Sequence, residues 1–122
     1  MMTKEQKCWK MIEDAKWKLD HDYERISTAW AELPEKEFDM LEKFINKRAE
    51  DLFNIFEPYW LGQNDFNDGE GIPVSDDSWS DLVYDVVGRG ERFYNSITAE
   101  KLLEMAENYD YKESFAYCLQ ID

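Results

Sequence analysis

The stretch PEKEFDMLEKFINKRAEDLFNIFE, residues 34–57, carries the longest helical pattern of this chain. Because an α-helix turns once in about 3.6 residues, side chains three or four positions apart share one face. Apolar side chains recur in this way at Phe38, Leu41, Phe44 or Ile45, Ala49, Leu52 or Phe53, and Phe56. Pro34 suits the first helical position, and Pro58 ends the pattern. The stretch therefore predicts one long amphipathic helix.

Shorter helical patterns precede this stretch. The run Thr3-Lys4-Glu5-Gln6 has the form of a capping box, in which a threonine and a glutamine each bind the other's free backbone N–H group. Behind it, one helical face carries Cys8, Trp9, Ile12, Ala15 and Leu19. A second amphipathic segment carries Tyr23, Ile26, Trp30 and Leu33. We therefore expect two helices before residue 34, separated by the polar break Asp20-His21-Asp22.

Further helices are predicted in the second half of the chain. The run Ser75-Asp76-Asp77-Ser78 places hydroxyls and carboxylates where the positive end of a helix dipole favours them. The buried stripe of that helix would be Trp79, Leu82, Val83, Val86 and Val87. Gly88 and Gly90 then allow close packing or a bend. A short helix is predicted after Thr98, and a last one around Phe115.

These patterns decide the fold class. No segment of the sequence alternates strictly between apolar and polar residues, as a half-buried strand would. The chain has 122 residues, 16% of them aromatic, which is enough to enclose a core. We predict an all-α fold: a single compact domain over residues 1–122, with about five or six helices around an aromatic-rich core.

Charge is distributed unevenly along the chain, whose formal net charge is −14. Residues 1–62 hold 14 acidic and 10 basic residues, whereas residues 63–122 hold 14 acidic and 4 basic residues. An acidic folded surface repels nucleic acid and attracts cationic molecules. The sequence therefore predicts a basic protein partner, no direct nucleic-acid binding, and a contact surface in the second half of the chain.

Two groups of residues in that half are candidates for partner binding. Residues 62–74 form a loop rich in glycine and acidic residues, and its phenylalanine has no periodic partner, as expected of an exposed anchor. A row of aspartates then occupies every fourth position of the next helix, on the side away from its apolar stripe; an ordinary solvated face is the alternative. The candidates are Asp65, Phe66, Asp68 and Glu70 of the loop, and Asp77, Asp81 and Asp85 of the row.

A catalytic arrangement is less favoured by the residues present. Asp76 and Asp77, together with Arg89 and Arg92, could surround a phosphate-bearing substrate, but helix capping and an ion pair between Asp85 and Arg89 are simpler roles. The single histidine has no nucleophile or pocket motif beside it. We predict no catalytic residues, no cofactor and a non-enzymatic function, with a small enzyme of unknown activity as an alternative.

The remaining features concern metal binding, cellular location and the state of the cysteines. The loop lacks EF-hand ligand types at the required positions, and two cysteines with one histidine cannot complete a zinc site, so no metal is predicted. The N-terminus has no apolar signal segment, and no apolar run is long enough to span a membrane. We expect a cytoplasmic monomer or homodimer without membrane contact. Cys8 and Cys118 should be reduced and buried rather than joined in a disulfide.

Three segments carry a family resemblance: Cys8-Trp9-Lys10-Met11-Ile12-Glu13-Asp14-Ala15, Leu33-Pro34-Glu35-Lys36-Glu37-Phe38, and Ser75-Asp76-Asp77-Ser78-Trp79 running on to Val87-Gly88-Arg89-Gly90-Glu91-Arg92-Phe93-Tyr94. Over residues 8–105, these segments resemble a bacterial family known only as a domain of unknown function, the 4240-type domain. Cys8 stands where members of that family usually carry an aromatic residue. The family has no established activity, so the resemblance implies no functional residues.

The function predicted from these observations is protein binding by charge complementarity. We expect an acidic, non-enzymatic binding protein that neutralises a basic partner: an immunity protein that inhibits a nuclease-type toxin by occupying its cationic site. The alternative is a phage-encoded DNA-mimic inhibitor of a host defence or nucleic-acid-binding complex, which has the same electrostatics and a different target.

Overall fold

The computed structural model describes residues 2–18, 22–59, 76–112 and 115–119, and these contain six α-helices and no strand. The helices are α1 (Lys4–Ala15), α2 (Asp22–Ala31), α3 (Glu35–Phe56), α4 (Asp76–Gly88), α5 (Glu91–Ser96) and α6 (Ala99–Glu107). A short 3₁₀ helix, Glu57–Tyr59, directly follows α3, and a second one, Phe115–Leu119, lies near the C-terminus. The prediction of a compact all-α fold with an aromatic-rich core is confirmed.

Local hydrogen bonds fix helix ends where the sequence predicts caps. At the start of α1, the backbone N–H of Gln6 donates to the Thr3 hydroxyl (3.1 Å), and the Thr3 N–H donates to the side-chain oxygen of Gln6 (2.9 Å). The Thr98 hydroxyl accepts a hydrogen bond of 3.1 Å from an N–H in the first turn of α6. Pro34 lies one residue before α3 rather than inside it, and its carbonyl accepts from the N–H of Phe38. The predicted caps at both threonines are confirmed.

The core forms where α3 packs on α4 and where α2 packs on the C-terminal 3₁₀ helix. Helix α3 buries the predicted stripe of Leu41, Ile45, Ala49 and Leu52. Phe115 of the C-terminal 3₁₀ helix is fully buried against two tryptophans. Its ring centroid lies 5.2 Å from that of Trp17 and 6.3 Å from that of Trp30, both in edge-to-face geometry. Such aromatic pairs contribute more than their buried area alone.

Gly88 allows the end of α4 to approach this aromatic cluster. A Cβ at this position would lie 2.7 Å from a ring carbon of Phe115 and 2.8 Å from one of Trp17, closer than carbon atoms pack. Only glycine therefore fits without displacing one of the rings. Of the two roles that the sequence allows for Gly88, close packing or a bend, the structure shows close packing.

Both cysteines are free thiols in the interior. Cys8 of α1 and Cys118 of the C-terminal 3₁₀ helix are buried, and they form no disulfide. Burial raises the pKa of the Cys118 thiol to about 12, so the reactive thiolate is scarce at neutral pH. The prediction that these residues pack as small apolar side chains in the core is confirmed.

Candidate partner-binding site

Helix α4 carries the predicted aspartate row, but its three aspartates differ in their exposure to solvent. Asp77 is exposed, Asp81 is partly buried, and Asp85 is fully buried. Each step of four residues advances about 40° around a helix, so two steps place Asp85 about 80° away from Asp77. The prediction that Asp85 belongs to the exposed face is therefore wrong, because this rotation brings its carboxylate to the core side of α4. The candidates Asp65, Phe66, Asp68 and Glu70 lie outside the described residues.

Asp85 is the acceptor at the centre of a buried polar network. Its carboxylate accepts hydrogen bonds from the Trp17 indole N–H (2.7 Å) and from Nε of Arg89 (2.8 Å). Arg89 also donates to the Asp110 backbone carbonyl (2.7 Å) and lies 3.3 Å from the Asp110 carboxylate. Burial raises the pKa of Asp85, although the Arg89 charge and the Trp17 hydrogen bond act in the opposite direction. The predicted structural ion pair between Asp85 and Arg89 is confirmed.

This network connects three parts of the chain. Trp17 follows the end of α1, and Asp110 follows α6. Asp85 lies in the last turn of α4, and Arg89 is the first residue after that helix. Because a buried donor or acceptor that loses its partner costs about 1–3 kcal/mol, each of these groups depends on the others. The network therefore positions structural elements, and its carboxylate is inaccessible to a partner protein.

The structure does not bring together the residues of the enzyme alternative. Asp77 and Arg89 are 12 positions apart along the axis of α4, which corresponds to about 18 Å. Arg89 already binds two carboxylates, and Arg92 lies exposed on α5. Asp77 and Arg89 therefore do not meet in one pocket, as the enzyme alternative would require.

A groove of about 320 Å³ opens between α3 and α4, and we refer to it as the α3–α4 groove. The described residues that line it are Asn46, Ala49, Glu50 and Phe53 of α3, and Ser80, Val83 and Tyr84 of α4. The Tyr84 hydroxyl donates a hydrogen bond of 2.6 Å to the side-chain oxygen of Asn46, which links the two helices. Burial, together with the charge of Glu42, raises the pKa of Tyr84, so the phenol keeps its proton.

Acidic side chains border this groove on both helices. On α3, Glu42 lies close enough for its charge to act on Tyr84, and Glu50 lines the groove. On α4, Asp77 lies one turn before the lining residue Ser80, and Asp81 lies one turn before the lining residue Tyr84. We call Glu42, Glu50, Asp77 and Asp81 the groove acids. The two aspartates belong to the row predicted from the sequence, whereas the two glutamates were not predicted as site residues, although their spacing on α3 around Asn46 places them on one side of that helix.

Two of the groove acids, Glu50 and Asp77, form no ion pair with a residue that the structure describes, whereas Asp51 of α3 forms two. Lys47 and Arg48 both pair with Asp51, at 3.0 and 3.1 Å. Within the described part of the chain, Glu50 and Asp77 form no ion pair, and both are exposed. Lys47 lies one turn before Glu50 and feels its charge, but its ammonium group is held by Asp51. Glu50 and Asp77 are therefore exposed carboxylates, one on each helix of the groove, that no described residue holds in an ion pair.

A second groove, of about 280 Å³, lies between α1 and α2 and has a different character. Its lining is apolar except for one carboxylate and one guanidinium, and consists of Met11, Asp14, Ala15, Arg25, Ile26, Ala29, Trp30 and Leu33. Asp14 binds Lys10 at 2.9 Å, and Arg25 donates to the Lys16 carbonyl at 3.1 Å. Because both charged groups already have partners within the chain, this groove does not favour a charged ligand.

Comparisons with known proteins found no match: no family model, no curated protein and no solved structure is similar to this chain. The resemblance to the 4240-type domain therefore stays a prediction. In the ranges that the structure describes, no group of three or more histidine, cysteine or acidic side chains could hold a metal ion. None of the described helices is long and apolar enough to cross a membrane.

Proposed function

We propose that this protein is an acidic binding protein that neutralises a basic protein partner through the α3–α4 groove. The observation that supports this proposal is the pair of exposed carboxylates, Glu50 and Asp77, which lie on the two helices of the α3–α4 groove without an ion pair to any described residue. A cationic partner would supply the missing opposite charge. The apolar lining would supply a contact from which water is excluded.

The electrostatic cost of this arrangement favours a binding role. Like charges four residues apart on one helix, such as Asp77 and Asp81, destabilise it by a few tenths of a kcal/mol. The net charge of −14 adds self-repulsion over the whole surface. The same field attracts a basic protein and can raise its association rate by about 10-fold to 10³-fold. A partner that neutralises the groove acids would remove part of this repulsion on binding.

The partner class that we propose is a nuclease-type toxin, with this chain as its immunity protein. A nuclease holds nucleic acid in a cationic site, because phosphate contacts require lysine and arginine. Carboxylates presented on a helical surface can occupy such a site and exclude the nucleic acid. A DNA mimic directed at a defence complex would use the same chemistry, so the identity of the captured partner decides between the two.

The proposal is tested by capture from the native host with matched charge variants. The groove variant is Glu50→Lys with Asp77→Lys, and the control is Glu100→Lys with Glu107→Lys on α6, which changes the net charge equally but contributes no lining residue. We expect the wild-type chain and the control to retain the same basic protein, which elutes at moderate salt, and the groove variant to lose it.

The captured protein is then assayed for nucleic-acid cleavage with and without this chain. Inhibition by the wild-type chain and not by the groove variant supports the immunity role. A captured complex that binds nucleic acid without cleaving it supports the DNA-mimic role instead. If no basic protein is retained, or if the groove variant retains it as well as the control does, the proposed function is wrong.

A further inference from the structure

Among the residues that the structure describes, Arg48 and Arg89 each contact both a carboxylate and an aromatic ring. The guanidinium carbon of Arg48 lies 5.3 Å from the ring centroid of Phe44, and its terminal nitrogen lies 3.1 Å from the Asp51 carboxylate. Arg89 repeats this arrangement, with its guanidinium carbon 4.9 Å from the Phe93 ring. Its second contact is the ion pair with Asp85 described above. A planar guanidinium suits both contacts at once, because its edge binds a carboxylate while its face lies on a ring.

The α3–α4 groove presents the same combination of groups without an arginine. Glu50 supplies an exposed carboxylate, and Tyr84 supplies an aromatic ring that is held in place by its hydrogen bond to Asn46. Ala49 and Val83 supply an apolar lining against which the methylene groups of a long side chain can pack. No lysine or arginine is among the described residues that line the groove.

The size of the groove also suits one side chain. Its volume of about 320 Å³ is at the lower end of the range of about 300–1,000 Å³ for small-molecule sites. It opens to solvent along two helices, so a side chain can enter from a partner's surface. A bulky cofactor would not be enclosed.

We propose that the α3–α4 groove binds an arginine side chain of the basic partner, with the guanidinium on the Glu50 carboxylate and against the Tyr84 ring. This inference rests on the proposed function and specifies which residue type its site recognises. Arginine is favoured over lysine for a physical reason. An ammonium group is a strongly hydrated point charge, whereas a guanidinium binds a carboxylate through two parallel hydrogen bonds and gives up its hydration more easily.

The test compares two peptides of equal charge, acetylated hexaarginine amide and hexalysine amide. Each is titrated into the ¹⁵N-labelled chain, and affinity is measured from backbone amide shifts at residues 46–53 and 80–84. We expect hexaarginine to bind at this surface about fivefold more tightly than hexalysine. Glu50→Gln should remove most of that preference, whereas Glu107→Gln on α6, which removes an equal charge, should leave it intact.

A second pair of variants isolates the aromatic contact. Tyr84→Phe keeps the ring, so it should retain the preference for arginine, whereas Tyr84→Leu removes the ring and should reduce it. If Tyr84→Leu does not fold, the effect of Glu50→Gln on the preference for arginine decides whether the inference holds. Glu50 is exposed, so its substitution leaves the core unchanged.

The possible outcomes separate this inference from the proposed function. Equal affinity of both peptides at the groove overturns the arginine inference and leaves the acidic binding role standing. Shifts confined to other surfaces also overturn the inference. A clear preference for hexaarginine at the groove supports the arginine inference. If capture from the host nevertheless retains no basic protein, only the proposed function is contradicted.

Discussion

The two ends of α4 present the same residue type in opposite environments. Near its start, Asp77 is exposed to solvent beside the α3–α4 groove and has no ion pair among the described residues. Two turns later, Asp85 is fully buried and accepts hydrogen bonds from Trp17 and Arg89. The comparison shows that spacing of four residues does not keep side chains on one face over a whole helix. The row turns by about 40° at each step and passes from the solvent to the core.

This difference assigns different roles to the two ends. The carboxylate at the buried end stabilises the fold, because two donors depend on it. The carboxylate at the exposed end contributes little to stability and is available to another molecule. A charge-reversal experiment that treated Asp77, Asp81 and Asp85 alike would therefore confuse unfolding with loss of binding. The predictions below separate the two effects.

The largest effect is expected at Asp85. Asp85→Ala leaves the buried Trp17 N–H and the partly buried Nε of Arg89 without their acceptor, so we expect a loss of about 3 kcal/mol in the free energy of unfolding. Asp77→Ala removes an exposed carboxylate from the first turn of α4 and should cost less than about 1 kcal/mol. Chemical denaturation followed by circular dichroism measures both. Equal losses of stability at the two positions would contradict the different roles assigned to the buried and exposed ends of α4.

Gly88 should show the second largest effect, since it sets the packing of the buried end. Gly88→Ala places a methyl group less than 3 Å from ring carbons of Phe115 and Trp17, so we expect a loss of about 2 kcal/mol through overpacking. The same denaturation experiment applies. An increase in stability, as helix propensity alone would give, would mean that the rings yield easily and that this end of α4 is loosely packed.

A smaller effect, of opposite sign, is expected at Tyr109. This exposed residue has a φ of 54°, in the left-handed region that favours glycine, just after α6 and beside Asp110, whose carbonyl binds Arg89. Tyr109→Gly relieves the backbone strain and should stabilise the fold by about 0.5–1 kcal/mol. Thermal unfolding measures the shift, with Tyr109→Ala as a control that keeps the strain. A loss of stability in the glycine variant would show that the tyrosine side chain supports the turn.

The smallest effect concerns the pH dependence of stability at the buried end. Burial raises the pKa of Asp85 in the folded chain above its ordinary value of 3.8. At a pH between 3.8 and the raised pKa, Asp85 is therefore protonated in the folded chain and ionised in the unfolded chain. The stability contributed by Asp85 is therefore complete below pH 3.8 and decreases as the pH rises through the folded pKa. We expect the difference in unfolding free energy between wild type and Asp85→Ala to be larger at pH 4 than at pH 7. A difference that grows with pH would mean that Arg89 dominates and lowers this pKa.

Much of the architecture could be predicted from local patterns. The stripe from Leu41 to Leu52 and the cap at Thr3 depend on spacing and side-chain chemistry within a few residues, which the sequence displays directly. The burial of Asp85 could not be predicted in this way. It depends on an indole 68 positions away in the chain, and no local signal relates Trp17 to that aspartate. The groove acids of α3 were missed for a similar reason, because Glu42 and Glu50 gain a role only when α4 packs beside them.

The most direct test of the account is the affinity of the purified partner for three forms of the chain, measured by calorimetry at two salt concentrations. The forms are the wild type, Glu50→Lys with Asp77→Lys, and the α6 control Glu100→Lys with Glu107→Lys. We expect the groove variant to bind at least about 30-fold more weakly, with unchanged thermal stability, while the control loses less than about threefold in affinity. Equal losses in the two variants would show that only the overall charge matters and would contradict a binding site at the α3–α4 groove.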